Sequence, residues 1–260
     1  MASSVELTQS EGVAVLTLND VPRKNAMSPE LGDALQARVA ELLGTPGLRA
    51  VVLTGAGGAF SAGGDLAMLE SLRSLPFEDA RRFMLSFYSR YLSVLDLPVP
   101  VIAAIEGPAI GAGLCVALAC DLVIVGDDSK LALNFVQLGL HPGMGATYLA
   151  PRKVGAQRAA ELLLTGRRFD GREAQAMGLA LEAVPREQVL PRAMALAAQI
   201  ALGAPLAVGA LRRGLAVDRV ALQAALEREA LAQAQSYGSA DLGEGLKAAA
   251  ERRAPHFEGR

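Results

Sequence analysis

Two short stretches constrain this chain more than any other feature. Ala50-Val51-Val52-Leu53-Thr54 and Val101-Ile102-Ala103-Ala104-Ile105 are nearly unbroken apolar runs, and each leads into a glycine-rich loop. Strands this uniformly apolar are covered on both faces, the habit of parallel sheets packed between helices. The segments around them read accordingly. Ser28-Pro29 supplies an N-cap and a first-turn proline for a helix running to about Leu43. Residues 66–97 have a helical pattern with a break at Leu75-Pro76, closed by Pro98 and Pro100. Val13–Asn19 and residues 121–125 and 131–135 read as further strands. Strands crowd the first half and helices fill the last third, so the pattern predicts an α/β fold with a helical C-terminal region.

A chain of 260 residues allows one large domain with or without a small appendage. At 52% hydrophobic and 20% charged it can bury a sizeable core, which excludes global disorder. Its net charge of −2 creates no overall field toward nucleic acid or an anionic membrane, and neither is expected as a partner. Two cysteines do not make a disulfide framework. Met1 to Glu6 has no basic start and no apolar run, so a cytoplasmic location is expected. Residues 193–211 carry no charge, yet they are dominated by alanine, interrupted by Gly203-Ala204-Pro205 and flanked by Arg192 and Arg212-Arg213. They read as two helices with a break, not as a membrane span.

Residues 55–65 and 107–113 are the two glycine loops. A phosphate cradle would need GxxxxGK[ST], which is absent. A dinucleotide fingerprint would need a third glycine and a later acidic residue, and these do not follow Gly111-Ala112-Gly113. A third reading has one backbone N–H from each loop converging on a carbonyl oxygen, with small residues allowing close approach and a helix N-terminus adding positive potential. Plain structural turns remain the alternative.

At these residues the sequence resembles the crotonase superfamily, the enoyl-CoA hydratase/isomerase family. The resemblance is carried by Phe60-Ser61-Ala62-Gly63-Gly64-Asp65-Leu66, by Pro100 through Gly113, by Ala119-Cys120-Asp121-Leu122 and by Pro142-Gly143-Met144-Gly145-Ala146-Thr147. Leu164-Thr165-Gly166-Arg167, Ala174 through Leu179 and the tail from Glu244 to Phe257 match as well. The resemblance implies a crotonase-like spiral of ββα units over residues 1–200 and a helical trimerisation region over 201–260. It implies a homotrimer or hexamer, and an acyl-CoA or acyl-carrier-protein substrate. No cofactor is implied beyond the coenzyme A or phosphopantetheine of that substrate, and no metal. By motif match the oxyanion donors are the amides of Ala62 and Ala112, with Gly63, Gly64 and Gly111 around the ligand. Lys24 and Ala26 match positions near the nucleotide end, and Arg252 a basic contact, often to a neighbouring subunit's ligand.

The sequence departs from the family's hydratases at both catalytic glutamates. Those positions hold Cys115 and Phe135, and residues 131–143 contain no acidic residue. Neither replacement is a base near neutral pH. His141, one of two histidines, is the candidate acid/base; its alternative role is to bond a loop carbonyl. Tyr88 lies on the segment that lines the acyl pocket in the family, although its spacing with Phe83, Met84 and Phe87 also makes a packing face. Four functions follow. Placed first is an isomerase shifting an enoyl double bond on CoA or a carrier protein. The alternative is a decarboxylase of a glutaconyl-type thioester. A hydratase with an unusual base and a non-catalytic acyl-CoA-binding scaffold are the others.

Overall fold

The computed structural model describes residues 3–260. The chain opens with β1 (Ser4–Ser10), β2 (Val13–Asn19), α1 (Pro29–Leu43) and β3 (Ala50–Gly55). After the first glycine loop come α2 (Leu66–Leu72), α3 (Phe77–Leu92) and β4 (Val101–Ile105). The second loop leads through β5 (Ala109–Ile110) into α4 (Ala112–Ala119), β6 (Leu122–Gly126) and β7 (Leu131–Ala132). Then follow α5 (Ala146–Val154), α6 (Ala156–Thr165), β8 (Arg168–Phe169), α7 (Gly171–Ala176) and β9 (Glu182–Val184). The chain ends in four helices, α8 (Val189–Ala201), α9 (Pro205–Leu215), α10 (Arg219–Tyr237) and α11 (Ala240–Glu251).

A six-stranded sheet runs in the order β1-β2-β3-β4-β6-β9, parallel except for the β1–β2 hairpin. Alternation along its strands explains the unbroken apolar runs. Val51, Leu53, Val101, Ala103 and Ile105 face the main core. Val52, Ile102, Ala104 and Ile124 face the other way, onto Val189, Ala193 and Ala197 of α8. Those three sit four residues apart on one helix face. A second, three-stranded sheet, β5-β7-β8, takes in Ala109 and Ile110 of the second glycine loop.

Local signals set the helix starts. Ser28 accepts the Leu31 amide at 3.3 Å with Pro29 beside it, and Asp65 accepts the Met68 amide at 2.8 Å. The strand expected over 131–135 stops at Ala132: Phe135 to Leu138 form a 3-10 turn, ended by Gly139 in the left-handed conformation. The Gly-Ala-Pro break separates α8 and α9, which bend by 115°. No single helix among the described residues is long and apolar enough to cross a membrane. Helix α10 packs along α3 and α5.

Candidate active site

The first glycine loop is built around a buried asparagine. Asn25 lies in the left-handed region beside Lys24, accepts the Asp20 amide at 2.7 Å and donates to the carbonyls of Ala56 and Ala59 at 3.0 and 2.7 Å. Ser61 donates its hydroxyl to the Asn25 carbonyl at 2.8 Å. This turn therefore dictates the path of the loop, a role the sequence reading missed by attending to its neighbours, Lys24 and Ala26. The two loops are then laced together. The amides of Phe60 and Ser61 both donate to Pro108 O at 3.0 Å, and Ile110 N returns a bond to Ser61 O at 3.1 Å. Gly111 N is tied to Ala132 O at 2.8 Å.

Of the loop residues that line the cavity, two have free amides. Among the described residues neither Gly64 N–H nor Ala112 N–H has an acceptor, and both line the same cavity. Gly64 is bracketed by Met27 N donating to Gly63 O at 2.7 Å and Asp65 N donating to Met27 O at 3.1 Å. The strand-like alternation turns its own N–H to the opposite side. Ala112 is the first residue of α4, so its amide has no intrahelical partner and carries the helix's positive end. Ala62, assigned by motif as the first donor, is corrected by the structure: its amide donates to Lys24 O at 2.9 Å and is consumed in the turn.

The cavity measures about 490 Å³. At its mouth stand the exposed Arg23, Leu66 and Arg168. Its inner end is formed by buried side chains, Met84, Phe87, Tyr88, Leu140, Met144, Gln233 and Tyr237. Ala26, Gly63, Gly111 and Phe135 also line it. Tyr88 donates to Gln233 Oε1 at 2.7 Å, and burial, with the nearby charge of Glu229, pushes its phenol well above the usual tyrosine range. Tyr88 is therefore a neutral hydroxyl at any physiological pH.

Several predicted residues lie elsewhere. His141 is outside the cavity; its ring Nδ1 lies 2.7 Å from Pro142 O, the loop-carbonyl role. Cys115 is fully buried behind the wall, and burial first, then Glu229, holds its thiol protonated. Lys24 and Arg252 are exposed and do not line the cavity. The residues that sequence reasoning missed are on α10. Glu229 and Gln233 read as solvated helix positions, and only their spacing with Leu222, Leu226 and Ala230 on the inward stripe hints that they are buried.

A spiral α/β fold whose two glycine loops line one apolar cavity places the chain in the crotonase class. The family model described as enoyl-CoA hydratase/isomerase matches residues 8–260, and the chain belongs to that family of enzymes. It is 40% identical over 246 residues to a putative enoyl-CoA hydratase of Thermus thermophilus, covering 94% of this chain and 97% of the relative. It is also 38% identical over 268 residues to the putative enoyl-CoA hydratase/isomerase YngF of Bacillus subtilis, covering all of both chains. Among solved structures, an enoyl-CoA hydratase/isomerase from Pseudoalteromonas atlantica superposes with a TM-score of 0.85 at 31% identity, over 98% of this chain and 100% of that one. The ECH2 decarboxylase domain of CurF from Lyngbya majuscula superposes with a TM-score of 0.82 at 26% identity, over 94% and 98%.

Proposed function

We propose that this chain decarboxylates an acyl thioester of the glutaconyl type, holding the resulting enolate oxygen at the amides of Gly64 and Ala112. One observation carries the choice among reactions: the cavity offers no side chain free to take a proton from carbon. Its titratable lining consists of Arg23, Asp65, Tyr88, Arg168 and Tyr237. Asp65 is committed to the Met68 amide and faces Arg23 at 3.6 Å, and both tyrosines are held protonated by burial. Isomerisation, placed first by the sequence, needs such a base, and hydration needs a base to take a proton from water. Decarboxylation does not. The bond to the carboxylate carbon breaks, its electron pair enters the thioester as an enolate, carbon dioxide leaves, and a proton from water then adds to carbon. Two preorganised amides, that of Ala112 at the N-terminus of α4, suit the charge that develops on oxygen. The CurF domain, a decarboxylase by its name, shares the fold.

The same reading gives Lys24 and Arg252 to the phosphates of coenzyme A or a carrier's pantetheine, as point charges. It gives the exposed leucines 202, 206, 211 and 215 to contacts between subunits of a trimer. Mass spectrometry of glutaconyl-CoA incubated with the protein tests the reaction. Loss of carbon dioxide supports it. Inertness toward glutaconyl-CoA, with growth of the conjugated band from a 3-enoyl-CoA, would return the isomerase to first place. Inertness toward both leaves a hydratase, a carrier-protein substrate or a binding scaffold.

A further inference from the structure

Helix α10 grips the loop over residues 141–147 at two points. Glu229 accepts Gly145 N at 2.7 Å, Thr147 N at 2.8 Å and Thr147 Oγ1 at 2.6 Å. Gln233 donates Nε2 to His141 O at 2.9 Å, and Ser236 Oγ accepts His141 N at 3.2 Å. These three residues lie four and three apart on one stripe of the helix. Between the two grips lies Met144, whose φ of 61° is left-handed. An L-residue without a short polar side chain resists that conformation. The neighbours on either side are confined as well. A β-carbon on Gly143 would stand 2.6 Å from the Tyr88 hydroxyl, and one on Gly145, at φ 74°, would stand 2.9 Å from Leu222 Cδ1. Met144 is thus the loop's one side chain between two required glycines, and it is buried at the inner end of the cavity.

We propose that Glu229 is a positioning residue for acyl-chain selection: by anchoring Gly145 and Thr147 it keeps Met144 left-handed, with its side chain across the inner end of the cavity, where it limits the length of the acyl group. The inference rests on the reading of the cavity as an acyl-thioester site. It does not depend on which reaction follows.

The test is calorimetric binding of butyryl-, hexanoyl- and octanoyl-CoA, saturated thioesters with no carboxylate to lose and no double bond to move. Wild type is expected to favour the short chains. Met144→Gly suits the left-handed backbone and so folds, and it is expected to shift the octanoyl-to-butyryl affinity ratio toward octanoyl by about tenfold or more. Glu229→Gln cannot accept all three hydrogen bonds and is expected to shift the ratio the same way by several-fold. Thr147→Val, which loses only the hydroxyl contact, is expected to give a smaller shift in that direction and serves if Glu229→Gln does not fold. The double variant Met144→Gly/Glu229→Gln should go no further than Met144→Gly alone. A common loss of affinity for all three chains in Glu229→Gln, or additive effects in the double variant, overturns the inference. An unchanged ratio in Met144→Gly overturns it while leaving the thioester site standing. A wild type that binds none of the three sinks both.

Discussion

Gly63 lies against Ile110 so closely that a β-carbon on it would stand 2.7 Å from the Ile110 carbonyl oxygen. Its φ of 92° closes the position to other residues independently. Gly64, next to it, would make only ordinary contact, with Leu69 Cδ1 as the nearest atom to an added β-carbon at 3.7 Å. Gly63→Ala is therefore expected to cost about 2 kcal/mol or more of stability and to separate the two loops. Gly64→Ala is expected to stay within about 0.5 kcal/mol of wild type. Urea denaturation of the pair checks this, and equal losses at the two sites would contradict the geometry.

Ala112 offers a cleaner probe of the oxyanion pair than Ala62. Proline is tolerated at the first position of a helix, where its missing N–H would have had no partner. Ala112→Pro is expected to keep the circular dichroism spectrum of wild type while lowering turnover of the thioester by about 100-fold or more. Ala62→Pro breaks the bond to Lys24 O and is expected to lower stability instead. Full turnover in a folded Ala112→Pro protein would remove that amide from the chemistry.

The difference between Ala62 and Gly64 shows where the sequence stops being legible. β2 over Val13–Asn19 and α1 over Pro29–Leu43 follow from local pattern and from the Ser28-Pro29 start. β1 escapes because Ser-Val-Glu-Leu-Thr-Gln-Ser is a polar edge strand with Val5 its one fully buried residue. The loops over 55–65 and 107–113 are visible as glycine clusters, yet which amide in Ser61-Ala62-Gly63-Gly64 remains free is decided by the distant Lys24 carbonyl. Glu229 and Gln233 are hidden for the same reason. Their partners lie 82 to 145 residues earlier in the chain, and nothing on α10 itself distinguishes a carboxylate that holds a loop from one that faces water.

His141 is expected to be dispensable for the chemistry. Its ring contacts Pro142 O and does not line the cavity, while its backbone carries the bonds to Gln233 and Ser236. His141→Ala keeps that backbone, so turnover within about twofold of wild type is expected, with a stability change within about 1 kcal/mol. A tenfold or greater loss in a folded protein, with an altered pH profile, would restore it as the acid or base.

The C-terminal tail folds back on α11 through a carboxylate. Glu244 accepts Arg253 Nη2 at 2.8 Å and His256 N at 2.9 Å, and the Arg253 guanidinium first, then the His256 amide, lowers its carboxyl to about 2 from an ordinary 4.5. A lowered carboxylate pKa means the folded state prefers the ionised form. The stabilisation is thus fully present above pH 4.5 and disappears as pH falls through about 2. The pair is exposed, so added salt weakens it. An acid titration of the His256 amide resonance is expected to leave it in place through the ordinary glutamate range and move it only near pH 2, and Glu244→Gln should abolish that transition. A midpoint at the ordinary glutamate value, unchanged in the variant, would show that the tail is held by something other than this carboxylate.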